Sequence, residues 1–264
     1  MLKKLLFILG LLILLFAAVF GIMKFRDIFN EKPESGQQQN QTADDTTEEE
    51  PAQEQPPAGF DKSKYSTDQP ASPWWVVNKT RPLPDSYVPP DLVVPNVRLR
   101  LAASNEQMRY SSQAVADLIS MFDAAKQQGV TLVFGSGYRS EALQRQFYNG
   151  YVAEDGQEAA DRLSARPGTS EHQTGLSFDA TSASQQCHLE KCYADMPEGK
   201  WLAANGYKYG FIIRYPNGKE AVTGYDYEPW HMRWVGKELS EEMHRTGVQT
   251  LEEFFGLPAA PDYP

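Results

Sequence analysis

Histidine is scarce in this chain and cysteine scarcer: four His and two Cys in 264 residues. That excludes a disulfide-dense scaffold, and equally an array of zinc fingers, which needs repeated Cys or His pairs. Basic residues are also short, at 25 Lys and Arg against 35 Asp and Glu. With no basic stripe, a nucleic-acid partner is excluded. The HExxH pattern of many metalloproteases is absent. No serine has a lysine three positions on and there is no K-T-G, so a serine peptidase of the penicillin-binding kind is excluded as well. No internal repeat is found, which argues against a solenoid.

What is present falls into three unlike segments. Residues 5–23 (LLFILGLLILLFAAVFGIM) form an uncharged apolar run, with Lys3 and Lys4 before it and Lys24 and Arg26 after it. At helical rise this run spans about 28 Å, close to the hydrocarbon thickness of a bilayer. A cleaved signal peptide would have a shorter apolar region and a small-x-small site, and no good one occurs here. The expectation for 1–30 is a short cytoplasmic tip and an uncleaved single-pass anchor in the cell membrane, with the remainder outside the cytoplasm. Residues 31–72 carry ten acids against three lysines, so most of the net charge of −10 lies there. Such a segment cannot bury enough apolar surface to offset its ordering entropy and is expected to be a disordered linker. The domain proper is expected over 73–264, as a monomer.

Within that domain the pattern predicts an extended, Pro-rich segment over 73–95, wrapped on the surface. A helix follows at about 112–128, with Val115, Leu118, Ile119, Phe122 and Ala125 on one face, Ser111 or Ser112 as cap and Gly129 as stop. A strand is expected over 130–139, then a helix over 141–154 capped by Ser140 and a short one near 157–165. Strands are expected at 175–181, 209–216 and 231–236, and helices at 200–206 and 237–247. Helices and strands mix without βαβ regularity, which predicts an α+β fold with a mainly antiparallel sheet and flanking helices.

The chemistry centres on two of the histidines. His172 lies in SEHQTGLSFDA, where strand alternation puts Gly175, Ser177 and Asp179 on one side and Leu176 and Phe178 in the core. His172 and Asp179 can then converge as nitrogen and oxygen ligands of zinc. His231 lies in YEPWH and would complete a three-ligand site with an open position for water. Glu228, three residues before it, can act as proton acceptor and donor without ligating. Spacing alone does not decide this, because a lone buried His is more often structural. His188 and His244 read as ordinary surface residues. Cys187 and Cys192 favour a local disulfide in an exported protein, since no second pair completes a zinc site. Arg139 suits a terminal carboxylate or an oxyanion. Arg214 and Arg233 read equally as further contacts or as structural ion-pair partners.

SGYRS (136–140), SEHQTGLSFD (170–179) and YEPWH (227–231) resemble, in this order, the motifs of the VanY-type D-alanyl-D-alanine carboxypeptidases. VVNKTRPLPDSYVPPDL (76–92) and FIIRYPNGKEAVTGY (211–225) extend the resemblance over about residues 73–257. These are zinc metallopeptidases, and the scaffold also serves L,D-carboxypeptidases. The resemblance implies the Hedgehog/D,D-peptidase fold, a zinc ion (Zn2+) on His172, Asp179 and His231, and Glu228 as catalytic base. It implies Arg139 as the arginine that contacts substrate and stabilises the oxyanion, and Gln144, Ser170 and Tyr215 as further substrate contacts. The implied substrate is a peptidoglycan stem peptide ending in D-alanine.

Overall fold

The computed structural model describes residues 59–264, and the expected anchor and most of the expected linker lie outside them. Among the described residues no helix is long and apolar enough to cross a membrane. The ordered body begins earlier than residue 73. Phe60 stacks on Trp74 with ring centroids 5.3 Å apart and meets Phe254 edge-on, and Tyr65 also packs edge-on against Trp74. Aromatic burial therefore holds 59–72 against the domain, although they are as polar as the stretch before them. The Pro-rich segment is without helix as expected, but its start is drawn inward: Trp74, Trp75, Val76 and Val77 are buried, while most of 80–94 is exposed or half-buried. Trp74 and Val76 join Val235, Leu239, Met243, Leu251 and Phe254 in a second apolar cluster beside the main core.

The architecture is α+β. A two-stranded ribbon pairs β1 (Leu92–Val93) with β2 (Tyr110–Ser111). It leads into α1 (Ser112–Gln127), whose Ala114, Leu118, Met121, Phe122 and Ala125 recur at helical spacing on the core side. The Ser111 and Ser112 hydroxyls do not cap this helix but donate to Asp91 at 2.7 and 2.9 Å. The central sheet contains β3 (Leu132–Ser136), β4 (Ser177–Ser182), β5 (Phe211–Ile213) and β6 (His231–Trp234). Its order is β3-β4-β6-β5, antiparallel throughout. Leu176, Phe178, Phe134, Met232 and Phe211 from this sheet and its edge meet α1 in the main core.

Helices α2 (Glu141–Asp155) and α3 (Gln157–Leu163) follow β3. Ser140 caps α2 as expected, its hydroxyl accepting from Leu143 N at 3.2 Å. α4 (Pro197–Asn205) and a 3-10 turn at Gly206–Tyr209 precede β5, which shortens that strand from the expected 209–216. α5 (Glu220–Thr223), α6 (Lys237–Thr246) and α7 (Leu251–Phe255) complete the body.

Candidate active site

Sheet register brings the predicted residues together. Asp179 on β4 is the cross-strand partner of His231 on β6 and also of Ser136 on β3. Directly opposed residues in antiparallel strands have Cβ atoms about 5 Å apart, so this pairing sets two ligand side chains side by side. His172 comes from the 3-10 turn Glu171–Thr174, which closes at Gly175 with φ of 70°. That left-handed residue, favourable for glycine, turns the chain into β4 and carries His172 over Asp179. His172 Nε2 lies 3.4 Å from Asp179 Oδ2, and His231 Nδ1 lies 3.3 Å from Asp179 Oδ1. One ligand atom from each of the three residues falls within 4.8 Å of the others.

Each ring is aimed by a partner on its far side. His172 Nδ1 donates to Gly137 O at 2.7 Å, leaving Nε2 toward the site. The carbonyl can stand there because a Cβ on Gly137 would fall 2.4 Å from Arg109 O. Glu171 Oε2 lies 3.4 Å from His231 Nε2, leaving Nδ1 toward the site. Ser136 Oγ donates to Asp179 Oδ2 at 2.5 Å, while Asp179 Oδ1 is buried without a hydrogen-bond partner among the described residues. A buried carboxylate oxygen left in that state is costly, and a cation satisfies it.

Charge points the same way. Burial alone would lower His231, but its close contacts with the Asp179 and Glu171 carboxylates, with the charge of Glu228 added, raise it to about 9. Burial lowers His172 and outweighs the opposing pull of Asp179. His231 thus holds a proton between two carboxylates, and a divalent cation can take the place of that proton.

Glu228 Oε2 lies 3.5 Å from His231 Nδ1. Burial raises its carboxyl to about 8, with Asp179 adding to the rise and His231 and Arg139 opposing it. Arg139 Nη2 lies 3.8 Å from Asp179 Oδ2, and its Nη1 donates to Gln144 Oε1 at 2.9 Å. Gln144 is itself tied to Ser164 Oγ and Ala165 O, so its amide is spent on holding Arg139. Ser170 and Tyr215 are buried on the wall of the same cleft, which measures about 430 Å3. Tyr215 packs its ring 4.8 Å from that of His231.

Other expectations resolve differently. His188 is not an ordinary surface residue but lines the cleft, whereas His244 is exposed and stacks on Tyr207. Cys187 and Cys192 form a disulfide, so their sulfurs are not metal ligands. Arg214 and Arg233 are ion-pair partners beneath the site. Both donate to Glu171 Oε1, at 2.7 and 2.9 Å, and Arg214 also grips Glu252 through two nitrogens. Glu171 escaped the sequence reading although it adjoins His172; the available signal was an acid and two arginines set among apolar, strand-forming residues.

Comparison with known proteins agrees with this geometry. Residues 107–237 match the family described as VanY, D-alanyl-D-alanine carboxypeptidase. The chain is 44% identical over 181 residues to YodJ of Bacillus subtilis, named as a carboxypeptidase, covering 68% of this chain and 66% of YodJ. It resembles the solved LdcB LD-carboxypeptidase with a TM-score of 0.66 and 42% identity, over 70% of this chain and 86% of that one. It also resembles a variant of the vancomycin-resistance D,D-pentapeptidase VanY in complex with Zn(II), with a TM-score of 0.56 and 33% identity, over 68% and 96%. Fold, motif order and these likenesses agree, and the chain belongs to the VanY family of D-alanyl-D-alanine carboxypeptidases.

Proposed function

We propose that this chain is a zinc-dependent carboxypeptidase that removes the terminal D-alanine from peptidoglycan stem peptides ending in D-Ala-D-Ala. The observation that carries the reading is the convergence of His172 Nε2, Asp179 and His231 Nδ1 on one point, with Glu228 beside it. Two imidazole nitrogens and a carboxylate oxygen suit zinc, and the unpartnered Asp179 Oδ1 fits a cation there. A zinc ion on these residues would polarise the scissile carbonyl and make water a better nucleophile at neutral pH.

The chain's own groups do the rest. Glu228 takes the proton from the attacking water and then returns one to the departing amine. Arg139, fixed by Gln144, presents its guanidinium to the negative charge that develops on the substrate. Arg139 Nε is buried without a hydrogen-bond partner among the described residues. Ser170 and Tyr215 complete the wall against which the terminal residue packs. Residues 5–23 would anchor the enzyme in the membrane with its domain on the outer side, where the cell wall lies. Retention of Glu228 beside the ligand set argues against a non-catalytic peptidoglycan-binding module.

A second reading, an L,D-carboxypeptidase acting on tetrapeptide stems, is favoured by the higher identity to LdcB than to VanY, 42% against 33%. Digestion of defined pentapeptide and tetrapeptide stems, followed by mass spectrometry, separates the two. The leading reading expects loss of one D-alanine from the pentapeptide, stopped by a chelator and restored by zinc. Cleavage of the tetrapeptide alone would replace it with the second. Cleavage of neither, or cleavage indifferent to chelator, would overturn both.

A further inference from the structure

The cleft holds a second cation that the reaction as described leaves unused. Arg100 lies on a segment that runs beside the edge strand β3: Arg100 N donates to Phe134 O at 3.0 Å, and Phe134 N to Arg98 O at 2.8 Å. Its Nε donates to Gly135 O at 2.9 Å, which fixes the guanidinium against the strand. The side chain lines the cleft, and among the described residues it has no ion-pair partner. Burial lowers its pKa, and Asp179, the one acid that opposes this, is already committed to Ser136 and the two histidines. A partly desolvated cation without a counter-ion is costly unless a ligand supplies one.

His188 converges on the same spot. A Cβ on Gly135 would lie 3.6 Å from His188 Cε1, so the ring sits over the residue whose carbonyl Arg100 uses. His188 Nδ1 is buried without a hydrogen-bond partner among the described residues. The loop that presents it is closed by the Cys187–Cys192 disulfide. Lys191 of that loop bonds Asp226 at 2.8 Å, which ties it to the segment that carries Glu228. Arg139 occupies another wall, held by Gln144 and lying over the Phe147 ring of α2. The cleft thus offers two separately mounted guanidinium groups.

We propose that Arg100 and His188 form a second recognition point, which takes a carboxylate of the peptide upstream of the scissile bond. The proposal rests on the carboxypeptidase reading and deepens it: the enzyme would favour stem peptides whose upstream carboxylate is free over those in which it is amidated. A guanidinium forks onto a carboxylate through charge-assisted bonds that a carboxamide cannot match.

The test uses two stem pentapeptides that differ only in that group, a free carboxylate in one and a carboxamide in the other. Binding to zinc-loaded Glu228→Gln protein, which should keep the peptides intact, is measured by calorimetry. Turnover by the unmodified enzyme is measured alongside. The carboxylate peptide is expected to bind about tenfold more tightly, as a charge-assisted contact implies. Adding Arg100→Gln is expected to erase the ratio. Equal binding of the two peptides, or a ratio that survives Arg100→Gln, would overturn the proposal. Failure of the unmodified enzyme to cut either peptide strikes at the carboxypeptidase reading instead, and the binding ratio still decides this one.

Discussion

Glu171 and His231 face each other at 3.4 Å, carboxylate Oε2 to ring Nε2, on the side of the imidazole away from Asp179. The other oxygen of the same carboxylate receives Arg214 and Arg233. Burial alone would raise the Glu171 carboxyl, but the two guanidinium groups hold it well below the usual carboxylate range. The anion therefore persists without solvent, and its charge favours a His231 proton on the facing Nε2 and ligation through Nδ1, although at 3.4 Å the two atoms do not form a hydrogen bond in this structure. Partners of this kind beyond the ligands typically matter about 10- to 100-fold in metal affinity. Glu171→Gln is expected to weaken zinc binding by that factor, read by competition with a chromophoric chelator. It should also lower the urea midpoint, because two buried arginines lose a counter-charge, an effect of about 3–5 kcal/mol when a buried pair is broken. Unchanged zinc affinity would show that the contact does not orient the ring.

Glu228 should separate chemistry from metal binding. Its buried carboxyl, raised to about 8, becomes a usable base at neutral pH once a nearby divalent cation favours the ionised form. Glu228→Gln keeps the volume and removes proton transfer, so turnover should fall by about 10²–10⁴ while zinc content holds. Metal analysis and steady-state rates on one preparation check both halves. Wild-type turnover in this variant would place the base elsewhere.

Much of the site was legible because its residues lie in short, ordered motifs. Strand alternation from Asp179 back to Ser177 indicated which side faces the cleft, and Leu176 and Phe178 do enter the core. What alternation could not supply was partner choice. That β4 lies between β3 and β6, with Asp179 opposite both Ser136 and His231, is a matter of long-range register. Segment 59–72 was hidden for a related reason: it is polar and poor in aliphatic residues like the preceding stretch, while Phe60 is anchored by Trp74 and Phe254, distant in sequence. His188 read as a surface residue because only the tertiary fold sets its loop against Gly135.

The Arg214–Glu252 pair should make the domain acid-sensitive. Burial would raise Glu252, but Arg214, with hydrogen bonds from it and from Asn78, holds the carboxyl below its ordinary value of 4.5. A depressed folded-state pKa means that protonation favours the unfolded chain. The stabilisation is complete above about pH 4.5 and disappears as pH falls through the folded-state value. Glu171 acts in the same direction. Urea midpoints should fall steeply below about pH 5. Glu252→Gln should be less stable at pH 7 and flatter in acid. A variant as steep as the parent would assign the acid sensitivity to other carboxylates.

Tyr263 reaches the metal centre through a line of rings. Its hydroxyl accepts from Arg166 N at 2.7 Å and lies 3.1 Å from Thr169 Oγ1 and 3.2 Å from the Tyr225 hydroxyl. The Tyr225 ring packs 4.7 Å from Tyr215, and Tyr215 packs 4.8 Å from His231. The Arg166 guanidinium covers the Tyr263 ring at 4.1 Å. Tyr263→Phe keeps the ring and the cation above it but leaves the Arg166 amide and two hydroxyls without this partner. An unsatisfied donor costs about 1–3 kcal/mol when fully buried and less at the half-buried Arg166 amide, so the variant should melt slightly earlier. Because Thr169 adjoins Ser170 and Tyr225 lines the cleft, the loosened wall should raise KM several-fold more than it lowers kcat, with zinc content unchanged. A purely structural role predicts a lower melting temperature with wild-type KM at temperatures where the variant is fully folded. That outcome would confine Tyr263 to packing and remove it from positioning of the substrate wall.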